Sequence, residues 1–191
     1  MGDTLRMESK SRWNQLKFVT SNTDKVREAS KILGCTLEQV STLMIHEIQT
    51  HDINIIVEHK GRQAYEELKC PVLVEDSGLI FSAWNGLPGA LVKWFEISVG
   101  CDGLLKMLDG FENREAIAVC MAAIFDGQEM RVARGEVKGK IANGIRGENG
   151  FGWDAIFIPD GYEQTYAEMS FSEKNAISHR RRAFESLKKN I

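Results

Sequence analysis

The stretch LKFVTSNTDKVREASKILG, residues 16–34, changes its periodicity in mid-course, and that change decides the fold class. LKFVT (16–20) is a short apolar run that reads as a strand. Directly after it Val26, Ala29, Ile32 and Leu33 recur at helical spacing. Ser21 with Asp24 three positions on has the spacing of a capping box, and Gly34 supplies the stop. Further along, Ile53, Ile56, Val57, Ala64 and Leu68 form one stripe and predict a helix over 53–68. VLVE (72–75) predicts a strand and GLIF (78–81) another after a turn. A short helix is expected over CDGLLKMLDG (101–110). The runs AIAVCMAAIF (116–125) and EMRVARGEVKGKI (129–141) flank Asp126-Gly127, a strong hairpin signal. WDAIFI (153–158) predicts a further strand, and Glu173 to Lys188 one helix with Ala176, Ala183, Phe184 and Leu187 on its apolar stripe. Strand–helix–strand followed by a hairpin implies an α/β domain with a mixed sheet.

Composition narrows the function classes. With 191 residues, 43% of them apolar and 27% charged, the chain can bury a sizeable core. Its 24 Lys and Arg against 27 Asp and Glu leave a net charge of −3, so no bulk basic field recruits nucleic acid. No stretch approaches the length of a membrane span. Residues 1–12 carry charges without the apolar core of a secretory signal and are expected to be a mobile polar extension, with one domain over 13–191. Cys35, Cys70, Cys101 and Cys120 lie far apart without a C-x-x-C pair, which fits neither a zinc site nor a disulfide framework and points to a reducing, cytoplasmic compartment.

Four segments carry residues that could do chemistry. In TSNTDK (20–25), between a strand and a helix N-terminus, free backbone N–H groups with Ser21, Asn22 and Lys25 suit a phosphate chain; a well-capped helix with a solvated lysine accounts for them as well. In PVLVEDSGLI (71–80), Glu75 and Asp76 end an apolar run. Neighbouring side chains on a strand face opposite ways, so both acids cannot serve one pocket unless the backbone turns. Ligands of α/β sheets bind beyond strand ends, and magnesium takes one or two carboxylates with waters and phosphate oxygens. A second carboxylate would come from Glu47 in HEIQT; the alternative is a pair of surface acids. In GFGWDAIF (150–157), Phe151 and Trp153 flank Gly152 and could stack on a base, with Asp154 accepting from ring N–H groups, or they could fill core. In EKNAISHRRRAF (173–184), Lys174 and Ser178 share a helix face and His179 and Arg180 follow, which fits either a reading helix or a solvated basic one.

Together these are the parts of a nucleoside triphosphate site, and the chain resembles the inosine triphosphate pyrophosphatase (Ham1-like) family. The resemblance runs from about Lys17 to Leu187. It rests on FVTSNTDK, HEIQT, VEDSGLIF, GLPGALVKWF, GFGWDAIF, PDGYEQTYAEMS and SEKNAISHRRRA in the expected order. It implies an elongated α/β fold, with a long mixed sheet flanked by helices and a cleft between two lobes, usually in a homodimer. The implied reaction is magnesium-dependent hydrolysis of ITP, dITP and XTP to the monophosphate and pyrophosphate. By motif, Thr20, Asn22 and Lys25 would hold the phosphates, and Glu47 and Asp76 the magnesium. Asp76 would also orient or deprotonate the attacking water. Ser77, Lys60 and Lys93 would contact the nucleotide. Phe151, Trp153 and Asp154 would form the base pocket, completed by Lys174, Ser178, His179 and Arg180. Glu75 receives no role beyond that of a supporting acid.

Overall fold

The computed structural model describes residues 13, 15–46 and 48–189. Strand β1, Lys17–Val19, leads through Thr20 into helix α1, Thr23–Leu33. The cap is Asn22 rather than the expected Ser21: its Oδ1 accepts from the Asp24 and Lys25 amides at 2.9 and 3.2 Å. Ser21 stays exposed because Asn22 is the last residue in extended conformation, and the cap must come from that position. Gly34 ends the helix in the left-handed region, as its place in the sequence predicts. Strand β2, Glu38–Val40, is too short and polar to show in the periodicity, and it lies parallel to β1. Helix α2, Ile53–Leu68, has the expected bounds and is capped by Asp52.

The central strand corrects the sequence reading. Val72–Phe81 is one continuous strand, β3, with no turn after Glu75. All ten of its residues pair antiparallel with β5, Glu115–Phe125, from Val72 opposite Phe125 to Phe81 opposite Ala116. Ser77-Gly78 reads as a turn signal, but Gly78 serves a close approach. A Cβ there would lie 2.9 Å from the carbonyl oxygen of Gly89 in β4, Pro88–Gly89. On its other edge β3 meets β1 at Val72 and Leu73, and β4 at Leu79 and Ile80. Among the described residues no strand pairs with 74–78 on that edge. Glu75 and Asp76 therefore lie in mid-strand, where the sheet parts on one side, and not at a strand end.

Strand β5 turns through Asp126-Gly127 into β6, Met130–Ile141, and the hairpin is as expected, Phe125 facing Met130. Strand β7, Phe157–Pro159, adds to β6, giving the order β2-β1-β3-β5-β6-β7 with β4 beside β3. The predicted strand over 153–158 begins only at Phe157, because Gly152–Ala155 forms a 3-10 turn. Helix α3, Val92–Leu108, starts a full two turns before the expected helix and kinks at Gly100. The single tail helix is two, α4 (Phe171–Ile177) and α5 (His179–Lys188). The chain is extended at Ser178, whose hydroxyl accepts from the Arg181 amide at 3.1 Å and starts a new helix instead of continuing the old one.

Strand alternation divides the core. Leu73, Cys120, Ala122 and Ile124 face α1 and α5 with Phe18, Phe184 and Leu187. Val72, Val74, Val119, Met121 and Ala123 face α2. Farther along the same strands Leu79, Phe81 and Ala118 join α3, Phe157 and Tyr166 in a separate apolar cluster. The cleft opens between these clusters. No helix among the described residues is long and apolar enough to cross a membrane.

Candidate active site

A cavity of about 580 Å³ occupies the gap beside residues 74–78 of β3. One end is built from the β1–α1 junction. Thr20, Ser21, Asn22 and Lys25 line it, with Lys60 from α2 and Asp76 and Ser77 from β3. The backbone amides expected there as a free phosphate cradle are partly engaged, since Asn22 takes those of Asp24 and Lys25 and Thr20 Oγ1 takes that of Asn22. Side chains supply the positive charge instead. Lys25 Nζ lies 2.6 Å from Glu75 Oε1 and 3.7 Å from Asp76 Oδ1. Burial disfavours its charge, but these two carboxylates prevail and hold its pKa above the ordinary value. Lys60 Nζ donates to the Glu75 carbonyl oxygen at 3.4 Å, taking an acceptor that the parted sheet leaves open.

The two neighbouring acids have different fates, and the alternation of β3 explains it. Glu75 falls on the face of Leu73, under α1 and α5, and is fully buried. Its carboxylate meets Lys25, Arg180 Nε at 2.9 Å and the Cys120 thiol at 3.1 Å. Burial favours the protonated form, but Arg180 and Lys25 outweigh it and hold the carboxyl well below the usual carboxylate range. Asp76, on the other face, keeps 26% of its side chain exposed and lines the cavity, with Oδ1 accepting from the Ser77 amide at 3.0 Å.

The other end is closed by Phe151, Gly152, Trp153 and Asp154 and by His179 and Arg180. Each nitrogen of Arg180 has a partner: Nε donates to Glu75, Nη1 to Glu28 and Nη2 to Ser77 Oγ at 2.8 Å. Lys174 Nζ lies 2.8 Å from Glu28 Oε1 and 2.5 Å from Asp154 Oδ2, and 4.6 Å above the Phe151 ring. Asp154 Oδ2 also accepts from the Phe151 amide at 2.8 Å, which fixes the aromatic loop. Three buried carboxylates (Glu28, Glu75 and Asp154) thus interlock with the cations of Lys25, Lys174 and Arg180. His179 stands apart. Its ring lies between Trp153 and Tyr166 at 5.2 and 6.0 Å, and neither ring nitrogen has a protein partner. Burial, then Arg180 and Lys174, push its pKa well below the ordinary value, so it is a neutral imidazole with one donor and one acceptor.

Of the residues singled out from sequence, Lys174 and Ser178 do not line the cavity. Lys174 stands behind Phe151 in its ion pairs, and Ser178 is buried as the cap of α5. The helix face proposed for the pair does not exist, because the helix breaks at Ser178. Lys93 lines the cavity from α3, and Glu47 lies outside the described residues. Among the described residues no cluster of three or more His, Cys, Asp or Glu side chains is placed to hold a metal. Glu28, the structural role of Glu75, and Glu96 of α3 escape the sequence reading. A signal for Glu28 was present, because it occupies the apolar stripe of α1 four positions before Ile32.

Residues 16–190 match the model of the Ham1 family. An inosine triphosphate pyrophosphatase of Yarrowia lipolytica is 44% identical over 177 residues, covering 90% of this chain and 92% of that protein. One of Saccharomyces cerevisiae is 43% identical, covering 92% and 94%. The structure of the Staphylococcus aureus Ham1 protein superposes with a TM-score of 0.79 at 29% identity, covering 91% of this chain and 97% of its own. A nucleoside-triphosphatase described as a dITP/XTP pyrophosphatase, from Mycobacterium abscessus, gives 0.71 at 31% identity, covering 90% and 98%.

Proposed function

The chain belongs to the Ham1 family, and from that membership we propose that it hydrolyses non-canonical purine nucleoside triphosphates (ITP, dITP and XTP) to the monophosphate and pyrophosphate, clearing them from the nucleotide pool. The observation that carries this reading is the polarity of one cavity: lysines, hydroxyls and a partly exposed Asp76 at one end, aromatic rings and a His179 whose ring nitrogens have no protein partner at the other. A triphosphate needs the first and a purine the second.

Thr20, Asn22 and Lys25 hold the phosphates, and Lys25, Lys60 and Lys93 stabilise the charge that develops on the departing pyrophosphate. Asp76 is the reactive acid, orienting the attacking water or taking its proton. The donor set fits magnesium. The buried carboxylates already have cations, Asp76 alone of the β3 acids faces the cavity, and this metal accepts one or two carboxylates when phosphate oxygens and water complete its sphere. Asp76 and Glu47 would hold it, and when bound it would offset the triphosphate charge and act as a Lewis acid. Phe151 and Trp153 stack on the base. A 6-oxo group accepts from the His179 ring N–H, while the 6-amino group of adenine does not, and a site that leaves such a group unpaired can discriminate by about 10⁴-fold. Lys174 acts from behind, its ammonium committed to Glu28 and Asp154, while Arg180 lines the cavity with its three nitrogens bonded to Glu75, Glu28 and Ser77.

The enzyme acts as a single catalytic domain over 13–191, as a homodimer, in the cytoplasm; the thiols of Cys70, Cys101 and Cys120 support a reducing compartment. Pyrophosphate release from ITP, XTP, GTP, ATP and dTTP, with magnesium and with a chelator, tests the assignment. The expected result is strong metal-dependent preference for ITP and XTP. Equal turnover of ATP or dTTP would overturn it.

A further inference from the structure

Glu96 is an anomaly in this cavity. It lies one turn beyond Lys93 on α3, and both line the cavity. Its Oε1 is buried and has no hydrogen-bond partner in the protein. A buried carboxyl oxygen without a partner is costly, and the buried acids Glu28, Glu75 and Asp154 each have a cation beside them. The loop of the aromatic end is shaped to approach it. Gly152 is in the left-handed region at φ 63°, and a Cβ at that position would lie 2.7 Å from Glu96 Oε1. The Cys101 thiol, farther along α3, donates to the Gly152 carbonyl oxygen at 3.7 Å and ties loop to helix. The unused acceptor thus stands beside Gly152 and Trp153, at the end of the cavity where a base would stack.

We propose that Glu96 accepts the ring N–H of a bound 6-oxopurine and thereby sets the preference for such bases over adenine; the inference rests on the nucleotide reading above. A 6-oxopurine carries hydrogen on N1, beside its 6-oxygen. Adenine has a lone pair at N1 and an amino group at C6. A carboxylate accepts from the first and faces a lone pair on the second. Once protonated, the same group offers a donor to adenine N1 and an acceptor to its amino group, so its ionisation state selects the base. Guanine also carries the N1 hydrogen, so Glu96 does not separate GTP from ITP.

The surroundings place the change of state in a usable range. Burial, and then the charge of Asp154 on the aromatic loop, push the Glu96 carboxyl up to about 7, against Lys25 of α1 and the Trp153 amide. The other groups facing it do not titrate in step. The Cys101 thiol is pushed up to about 11, by burial first and then by Glu96, and His179 is neutral throughout. Lys93 shares the lining, and Asp154 is paired with Lys174. Selectivity for ITP over ATP therefore rises as pH rises through about 7, because the ionised form is the discriminating one.

The test compares kcat/KM for ITP, GTP and ATP in wild type, Glu96→Gln and Glu96→Leu, with magnesium, from about pH 6 to about pH 8, each variant checked for an unchanged melting temperature. The wild-type ITP-to-ATP ratio should climb across that interval. In Glu96→Gln it should be flat and about 10- to 100-fold lower at the upper end, the range expected when one charged hydrogen bond is lost. Glu96→Leu should lower the ratio as well, with GTP falling alongside ITP in both variants. A ratio in Glu96→Gln that keeps the wild-type size and pH profile overturns the proposal. A wild-type enzyme inactive on ITP would instead refute the nucleotide reading, a separate outcome.

Discussion

The two ends of the cavity are built on opposite principles. The end proposed for the phosphates comes from one local segment, 20–25, plus side chains of α2, α3 and β3, and Asp76 there is a quarter exposed. The end proposed for the base is braced by residues far apart in the chain, with Glu28 paired to Lys174 and Arg180 across 146 and 152 positions, and these three side chains are buried. The difference is physical. A triphosphate brings charge and water with it, so exposed groups that adapt can hold it. Discrimination between bases turns on single hydrogen bonds and requires groups that cannot relax to fit the wrong partner. The ion pairs behind Phe151 and Trp153 hold that end still.

The sharpest way to break this contrast is at Asp76. Asp76→Asn should lower ITP turnover by about 10³-fold or more while leaving nucleotide binding and folding nearly intact, because the side chain is partly exposed and meets the buried network only through a long contact with Lys25 among the described residues. Near-normal pyrophosphate release, or a large loss of stability, would place Asp76 in the structural set.

Next in size is Arg180→Met, which leaves Glu28 and Glu75 buried without their shared cation. Urea unfolding should show a loss of about 3–5 kcal/mol, with a smaller effect on the phosphate end. A loss below about 1 kcal/mol would mean that the network does not stiffen the base end. The sign with pH follows from the same pairs. Both carboxyls are held below their ordinary value of 4.5 in the folded protein, so their stabilisation is complete above that pH and fades as pH falls. Wild type should therefore lose stability steeply under acid, and Arg180→Met less steeply.

The smallest of the three effects belongs to Trp153→Ala, for which KM for ITP should rise about 5- to 100-fold with kcat little changed, the worth of one base stack. An unchanged KM would assign Trp153 wholly to its packing against Phe157 and His179.

Local signals made part of this legible. The switch of periodicity at residue 21 marks the β1–α1 junction, the stripe over 53–68 delimits α2, and Asp126-Gly127 marks the hairpin, since each depends on contacts within a few residues. The misread segments are those where a distant element overrides the local signal. Ser77-Gly78 looks like a turn until β4 packs against Gly78. WDA looks like a strand but is wound into a 3-10 turn, with Asp154 bonded back to the Phe151 amide and to Lys174 of α4. Ser178 looks like a mid-helix residue and is a cap.

The sequence by itself determined the α/β class, the hairpin, the motifs that carry the family resemblance, and the rule that Glu75 and Asp76 face opposite ways. These follow from backbone periodicity and side-chain type. Tertiary structure decided which acid is buried, what neutralises it, that Lys174 and Arg180 brace the site with donors already committed, and that Glu96 comes to the base end at all. Those outcomes depend on desolvation and on charges brought together across more than a hundred residues, and neither quantity exists until the chain has folded.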